Sequence, residues 1–388
     1  MCTQHGYPNR DGAAKLVFDI VTPPTLAKLA DGRDLLFFAL PGHRPAPVED
    51  RRPLPAREPA AQSQLRFDRS TGQWVIVAAL RQDRTYKPPP DACPLCPGPT
   101  GLTSEVPAPD YDVVVFENRF PSLSGALPSL PASPPVADGD GFVTAPGHGR
   151  CEVICFSADH NGSVAQLEPA HARLVVEAWR HRTADLMARP GIEQVFCFEN
   201  RGEEIGVTLT HPHGQIYGYP FLTPRTATML EQARQHRNRH GGNLFGDLLA
   251  REVADGSRII ARDELFTAFV PFAARWPVEV HIYPNRFVRN LTELDEDELD
   301  SFVGVYLDVL GRFDRMYAPA VGPLPYISAL HQYADTAAQA EGYFHVELMS
   351  IRRSATKLKY LAASESAMDA FIGDVTPESV AQRLIELR

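Results

Sequence analysis

The chain has 388 residues, 44% of them hydrophobic, enough for a substantial core and for two or three domain-sized units. Its formal net charge is −10 and no broad basic stripe appears, which argues against a nucleic-acid partner, although a few arginines can still build a local pocket for a small anion. No stretch approaches the roughly 18 uninterrupted apolar residues of a membrane span. The N-terminus shows no basic segment followed by an apolar run, and six cysteines in so long a chain are not a disulfide framework, so a protein of the reducing cytoplasm is expected.

Residues 1–63 read as an N-terminal extension. Asp34-Leu-Leu-Phe-Phe-Ala-Leu40 suits one strand, and the stretch from Pro41 to Pro59 is an extended linker rich in proline and charge. The compact region is expected to begin near Gln64. Residues 67–77 read as strand, turn, strand, and 112–116 as a short buried strand. Many Pro, Gly and Ser residues make 121–149 a long loop. A strand at 151–156, a helix over 168–187 and a strand at 194–198 follow. The fold class is therefore α+β with a largely antiparallel sheet.

The second half echoes the first. Glu152-Val-Ile-Cys-Phe is answered by Glu279-Val-His-Ile-Tyr, and Gln166-Leu-Glu168 by Glu293-Leu-Asp295, both about 127 positions on. His211-Pro-His213 has a looser counterpart in His345-Val-Glu347. Two related strand–helix–strand units are expected, 64–240 and 241–388.

The most informative segment is Thr210-His-Pro-His-Gly-Gln215. On an extended chain His211, His213 and Gln215 share one face. Pro212 fixes its own φ and biases His211 to an extended conformation, and Gly214 lets backbone approach a bound group. Two such histidines can be metal ligands, satisfied polar residues or a nucleophile. Neutral imidazole beside an amide donor suits attack on phosphorus.

With these motifs, in order, the chain resembles the galactose-1-phosphate uridylyltransferases of the histidine triad superfamily: Ser70-Thr-Gly-Gln-Trp-Val-Ile-Val77, Cys93-Pro-Leu-Cys96, Val115-Phe-Glu-Asn-Arg-Phe120, Val153-Ile-Cys-Phe-Ser-Ala-Asp-His160, Phe198-Glu-Asn-Arg-Gly202, the histidine segment, Ala254-Asp-Gly-Ser-Arg258 and Arg353-Ser-Ala-Thr356. The resemblance implies two histidine-triad-like units and a homodimer. It also implies exchange of UMP between UDP-glucose and galactose 1-phosphate through a uridylyl-histidine. His213 would be the nucleophile, and Gln215 would hold the transferred phosphoryl oxygens. Arg81 and Arg84, ordinary loop charges by position alone, would reach phosphates across the dimer. Asn118, Arg119 and Phe120 fall on the uridine side, although Arg119 stands where an acidic residue is common. Asn200, Gly206 and Thr208 would contact sugar and phosphates, and Lys359 and Glu365 the hexose phosphate. Ser364 and Phe371 depart from the family pattern there. A related ADP-glucose phosphorylase or adenylyltransferase, and a nucleotide-binding homologue without catalysis, are the alternatives.

Cys93 and Cys96 have the spacing of a zinc knuckle, and the prolines around them fit a tight turn equally well. The resemblance adds His160 and His211 and implies a structural zinc ion. It implies a second zinc or iron ion at His331, His345 and Glu347, with Glu347 in place of a histidine. Met229 stands where the fourth ligand, a glutamate, is expected, and Glu231 lies two residues on.

Overall fold

The computed structural model describes residues 23–57, 63–83, 87–125 and 141–388. β1 (Thr25–Lys28) and β2 (Asp34–Phe38) form a hairpin at one edge of a large sheet. β3 (Gln64–Asp68) and β4 (Gln73–Val77) pair in a small separate sheet. β5 (Val113–Glu117) returns to the large sheet, and β6 (Thr144–Pro146), inside the stretch expected to be loop, completes the small one. The first half ends with β7 (Arg150–Cys155), α1 (Pro169–Met187), β8 (Gln194–Arg201) and β9 (His213–Tyr219). α2 (Pro224–His240) and α3 (Leu244–Asp255) lead into β10 (Ile259–Arg262), β11 (Phe266–Phe269) and β12 (Val278–Pro284). α4 (Glu296–Arg315), β13 (Tyr326–His331) and β14 (His345–Ser350) follow.

Among the described residues the large sheet has eleven strands in the order β1-β2-β5-β7-β9-β8-β13-β14-β12-β11-β10, every pairing antiparallel. The α+β class is as expected. From the β8–β13 seam the order runs β8-β9-β7-β5 one way and β13-β14-β12-β11 the other, so both halves repeat one pattern. Each half also places its long helix after a short 3₁₀ turn, at 164–166 and 291–293. Pro169 opens α1 at the position where a missing N–H does no harm. Asp295 and Glu298 close a capping box on α4, at 2.9 Å in both directions.

α1 and α4 cover one face of the sheet. Trp179, Phe302 and Tyr306 pack there on Ile154, Cys197 and Ile216 from one half and Val280, Val346 and Leu348 from the other. By strand alternation His213, Gln215, His281 and Glu347 point to the opposite face. α2 and α3 cover that face over the second half, through Phe245, Leu249, Tyr283 and Tyr343. Over the first half it is lined by loop residues such as Leu95, Val106 and Tyr111, which leave a cleft. Among the described residues no helix is long and apolar enough to cross a membrane.

Two expectations are corrected. The compact region does not begin near Gln64. Leu35, Phe37 and Phe38 are buried, and Arg33 is buried with its guanidinium on the Glu117 carbonyl and Glu105, each at 2.6 Å. The echo of Glu152 with Glu279 also fails in register. Glu152 faces α1, where Arg182 grips it through bonds of 2.8 and 2.9 Å. Glu279 accepts from the backbone of Arg275 and Trp276 and from His281, at 2.6, 3.1 and 2.9 Å. Since neighbours alternate faces, the two strands align one residue away from the sequence echo. The Glu152–Arg182 pair is fully buried, a setting in which removing one partner costs about 3–5 kcal/mol.

Candidate active site

His213 opens β9, directly after Pro212 has held the chain extended. Its Nδ1–H donates to the His211 carbonyl at 2.8 Å, which leaves the lone pair on Nε2. Burial pulls its pKa below the ordinary value, so the ring is neutral near pH 7. Gly214 serves packing. A Cβ there would lie 2.7 Å from the Phe156 ring and 2.8 Å from the Phe198 carbonyl. Gln215 shares the His213 face. Its Oε1 accepts from the Tyr217 hydroxyl at 3.1 Å, which turns the amide NH₂ outward as a donor. Tyr217 in turn accepts from Arg81 Nη1 at 3.5 Å.

His213 and Gln215 line a cleft of about 200 Å³ with Arg52, Arg81, Glu105, Asn118, Arg119, Phe120 and Thr208. Arg81 lies in the cleft of its own chain, anchored on the Phe120 carbonyl at 3.1 Å. Arg84 falls outside the described residues. Asn118 accepts from the Phe120 N–H at 2.9 Å, and the Arg119 guanidinium rides 5.4 Å above the Phe120 ring. A second cleft shares His213 and is lined by Asn200, Arg201 and Thr210. Gly206 lines neither cleft. It closes a 3₁₀ turn at φ 87°, a conformation that favours glycine. Lys359 and Glu365 also lie elsewhere. They pair with each other at 3.4 Å, and Lys359 bonds the Arg275 and Ile372 carbonyls. Sequence reasoning missed Arg52, Glu105 and Tyr217. The first sits in the supposed linker, and nothing local marks the other two.

Beside the cleft, one ligand atom from each of Cys93, Cys96, His160 and His211 lies within 4.8 Å of the others. Cys96 Sγ is 3.3 Å from His160 Nδ1 and 3.5 Å from His211 Nδ1. These are close to the edge of about 3.6 Å in a tetrahedron with zinc bond lengths near 2.3 and 2.1 Å. The outer nitrogens are engaged. His211 Nε2 donates to the Ser157 carbonyl and lies 2.8 Å from the Tyr111 hydroxyl, and His160 Nε2 is 3.1 Å from Thr210 Oγ1. Both rings thus aim Nδ1 inward, the orientation that outer partners give to metal-binding histidines. The donor set fits a zinc ion.

The second cluster differs. His345 opens β14 as His213 opens β9, and its Nδ1 likewise donates to the carbonyl two residues back, Tyr343, at 2.8 Å. By position His345 therefore answers His213, and Glu347 answers Gln215, which corrects the sequence echo of His211-Pro-His213 with His345-Val-Glu347 by two residues. His331 Nε2 and His345 Nε2 lie 3.4 and 3.6 Å from the Glu347 carboxylate, spacings that a metal ion could bridge. Arg225 Nη2, however, already donates to both Glu347 oxygens, at 2.8 and 2.7 Å. Met229 packs against apolar neighbours of α3 and β12. Glu231, the expected substitute ligand, turns out to Arg234 and Gln235.

Two unit charges about 4 Å apart at an effective dielectric of about 20 interact by about 4 kcal/mol, so a dication beside the guanidinium would meet roughly twice that. Among the described residues His345 Nε2 is buried without a hydrogen-bond partner, which costs about 1–3 kcal/mol. The residues fit a guanidinium on Glu347 better than a second ion.

Glu199, at the end of β8, is buried and accepts from the Tyr326 hydroxyl at 2.8 Å. Burial pushes its pKa from 4.5 up to about 7. The folded state therefore binds this proton more tightly than the unfolded chain, and stability falls as pH rises from 4.5 to about 7. Glu199→Gln keeps an acceptor for Tyr326. It is expected to be near neutral at pH 5 and to stabilise by up to about 3 kcal/mol at pH 8. Denaturant unfolding at both values checks this, and an effect of equal size at both would count against it.

The antiparallel two-half sheet with a histidine at the head of β9 is the uridylyltransferase fold. The chain superposes on a solved structure titled "Structure of uridylyltransferase" with TM-score 0.72 and 29% identity, covering 84% of this chain and 98% of that one. An ADP-glucose phosphorylase from Arabidopsis thaliana shares the fold at TM-score 0.61 and 20% identity, over 83% of this chain and 98% of that one. Residues 53–223 match the family described as galactose-1-phosphate uridyl transferase, N-terminal domain, and 229–388 match its C-terminal domain. The galactose-1-phosphate uridylyltransferase of Streptomyces lividans is 43% identical over 94% of this chain and 97% of its own length. That of Thermotoga maritima is 35% identical over 83% and 98%. The chain belongs to the galactose-1-phosphate uridylyltransferase family.

Proposed function

We propose that this chain moves UMP from UDP-glucose to galactose 1-phosphate by double displacement on His213. Nε2 attacks the α-phosphorus, the bond to the glucose 1-phosphate oxygen breaks, and glucose 1-phosphate leaves. An oxygen of galactose 1-phosphate then attacks the same phosphorus. The phosphorus–nitrogen bond breaks, which restores neutral His213 and releases UDP-galactose. The carrying observation is the imidazole whose Nδ1 is fixed on the His211 carbonyl while its ring lines two clefts. Gln215, oriented by Tyr217, stabilises charge on the phosphoryl oxygens. Arg81, Asn118, Arg119, Phe120 and Thr208 surround the nucleotide, and Asn200 the opposite side.

Zinc on Cys93, Cys96, His160 and His211 holds the entry to β9. The chain works as a cytoplasmic homodimer, and a second copy supplies the hexose-side contacts that Lys359 and Glu365 do not make in their own chain. The repeated strand order supports 64–240 and 241–388 as related units.

The test is incubation with UDP-glucose labelled in the α-phosphate. Label is expected on the protein, stoichiometric and discharged by galactose 1-phosphate. An unlabelled protein that still turns over would mean direct transfer. A parallel assay with ADP-glucose is expected to be much slower, and a preference for ADP-glucose would overturn the uridylyl assignment.

A further inference from the structure

The cluster at the head of β14 stands where the resemblance expects a second metal ion, yet its contacts describe another arrangement. Glu347 is 2% exposed, so its charge needs a close partner. That partner is Arg225, one nitrogen of which touches both carboxylate oxygens. Arg225 sits on the first turn of α2, the positive end of the helix, where a cation is electrostatically disfavoured. Its place makes sense only through Glu347. Met229 lies one helical turn further along α2, at the position of the expected glutamate ligand. Three departures therefore agree. A neutral histidine ligand has become a carboxylate, a carboxylate ligand has become a thioether, and a fixed cation has arrived between them. The single carboxylate of the site is kept but moved to Glu347, where the guanidinium neutralises it in place of an ion.

His281 and Glu279 strengthen the reading. His281 Nε2 bonds Glu279 at 2.9 Å and stands 3.8 Å from Glu347, beyond hydrogen-bond reach. Glu279, His281 and Glu347 bring ligand atoms within 4.8 Å of one another, but Glu279 already accepts from two backbone N–H groups and from His281, so its charge is satisfied without an ion.

We infer that Arg225 takes the place of the second metal ion in this chain, so that each chain carries one metal ion, at the Cys93–Cys96–His160–His211 cluster. The guanidinium ties α2 to β14 as an ion would. Unlike an ion, it cannot be removed by a chelator.

Metal counting on the purified full-length protein tests this without reference to activity. Inductively coupled plasma mass spectrometry is expected to give one equivalent of zinc or iron per chain, the same in His345→Asn and none in Cys96→Ser. Arg225→Ala is expected to melt about 5 °C lower or more, because Glu347 is left buried and unpaired. Added Zn²⁺ should restore part of that loss in Arg225→Ala and do nothing to the unsubstituted chain. A second equivalent in the unsubstituted chain that His345→Asn removes would overturn the proposal, as would uptake of added Zn²⁺ at the same site. If Arg225→Ala does not fold, the counts on the unsubstituted chain and His345→Asn decide alone.

Discussion

His213→Ala is expected to abolish turnover, with a loss on the order of 10⁵-fold or more in kcat, while the protein stays folded. The size follows from the proposed role. A nucleophile that forms the intermediate has no partial substitute, and loss of such a group elsewhere costs about 10⁶-fold. The fold has little at stake, because the imidazole is half-buried and makes one bond to a backbone carbonyl at 2.8 Å. Net hydrogen bonds of that kind contribute about 0.5–1.5 kcal/mol. Melting should therefore shift by only a few degrees, and the zinc content should be unchanged, since His213 is not among the clustered ligands. Turnover within tenfold of the parent would place the nucleophile elsewhere. A large loss of stability would instead make His213 a structural residue and leave the kinetic result without meaning.

How much of this was legible in the sequence depends on what each residue needed. The face shared by His211, His213 and Gln215 follows from alternation alone, and a rigid proline between the histidines fixes it. The Cys93–Cys96 spacing carried its partners only through family likeness, because His160 and His211 reach it from two other loops. Register was not legible. Glu152 and Glu279 head similar apolar runs, yet one faces α1 and the other the opposite side, and a single residue of slip is invisible in composition. The N-terminal segment misled through its prolines. Arg52 is buried against Asp50 and Glu105 and lines the main cleft, a pairing that spans 53 residues of sequence. Arg225 could have been suspected from its unfavourable place at a helix start, but only the fold shows Glu347 waiting for it.

Cys96→Ser tests the support just ahead of β9, and its expected effects reach both stability and rate. Serine's hydroxyl is a poor ligand for zinc, so the cluster would lose its metal. Three polar donors in a largely buried site would then face one another without a cation. Loss of a structural metal belongs among the largest single-residue effects, and a drop of about 5 kcal/mol or more is expected, read as a fall of about 10 °C or more in Tm. Activity should fall with it, because His211 belongs to the four-residue cluster that could hold the ion and its carbonyl fixes the His213 ring. With His211 loosened, Nδ1–H of His213 loses its acceptor and Nε2 its fixed aim. Removing metal from the unsubstituted protein with a chelator should reproduce both losses, and returning zinc should reverse them only where all four ligands are present. Full zinc content in Cys96→Ser would take Cys96 out of the ligand set. Metal loss with unchanged kcat would separate the cluster from catalysis and leave His213 positioned by β9 alone.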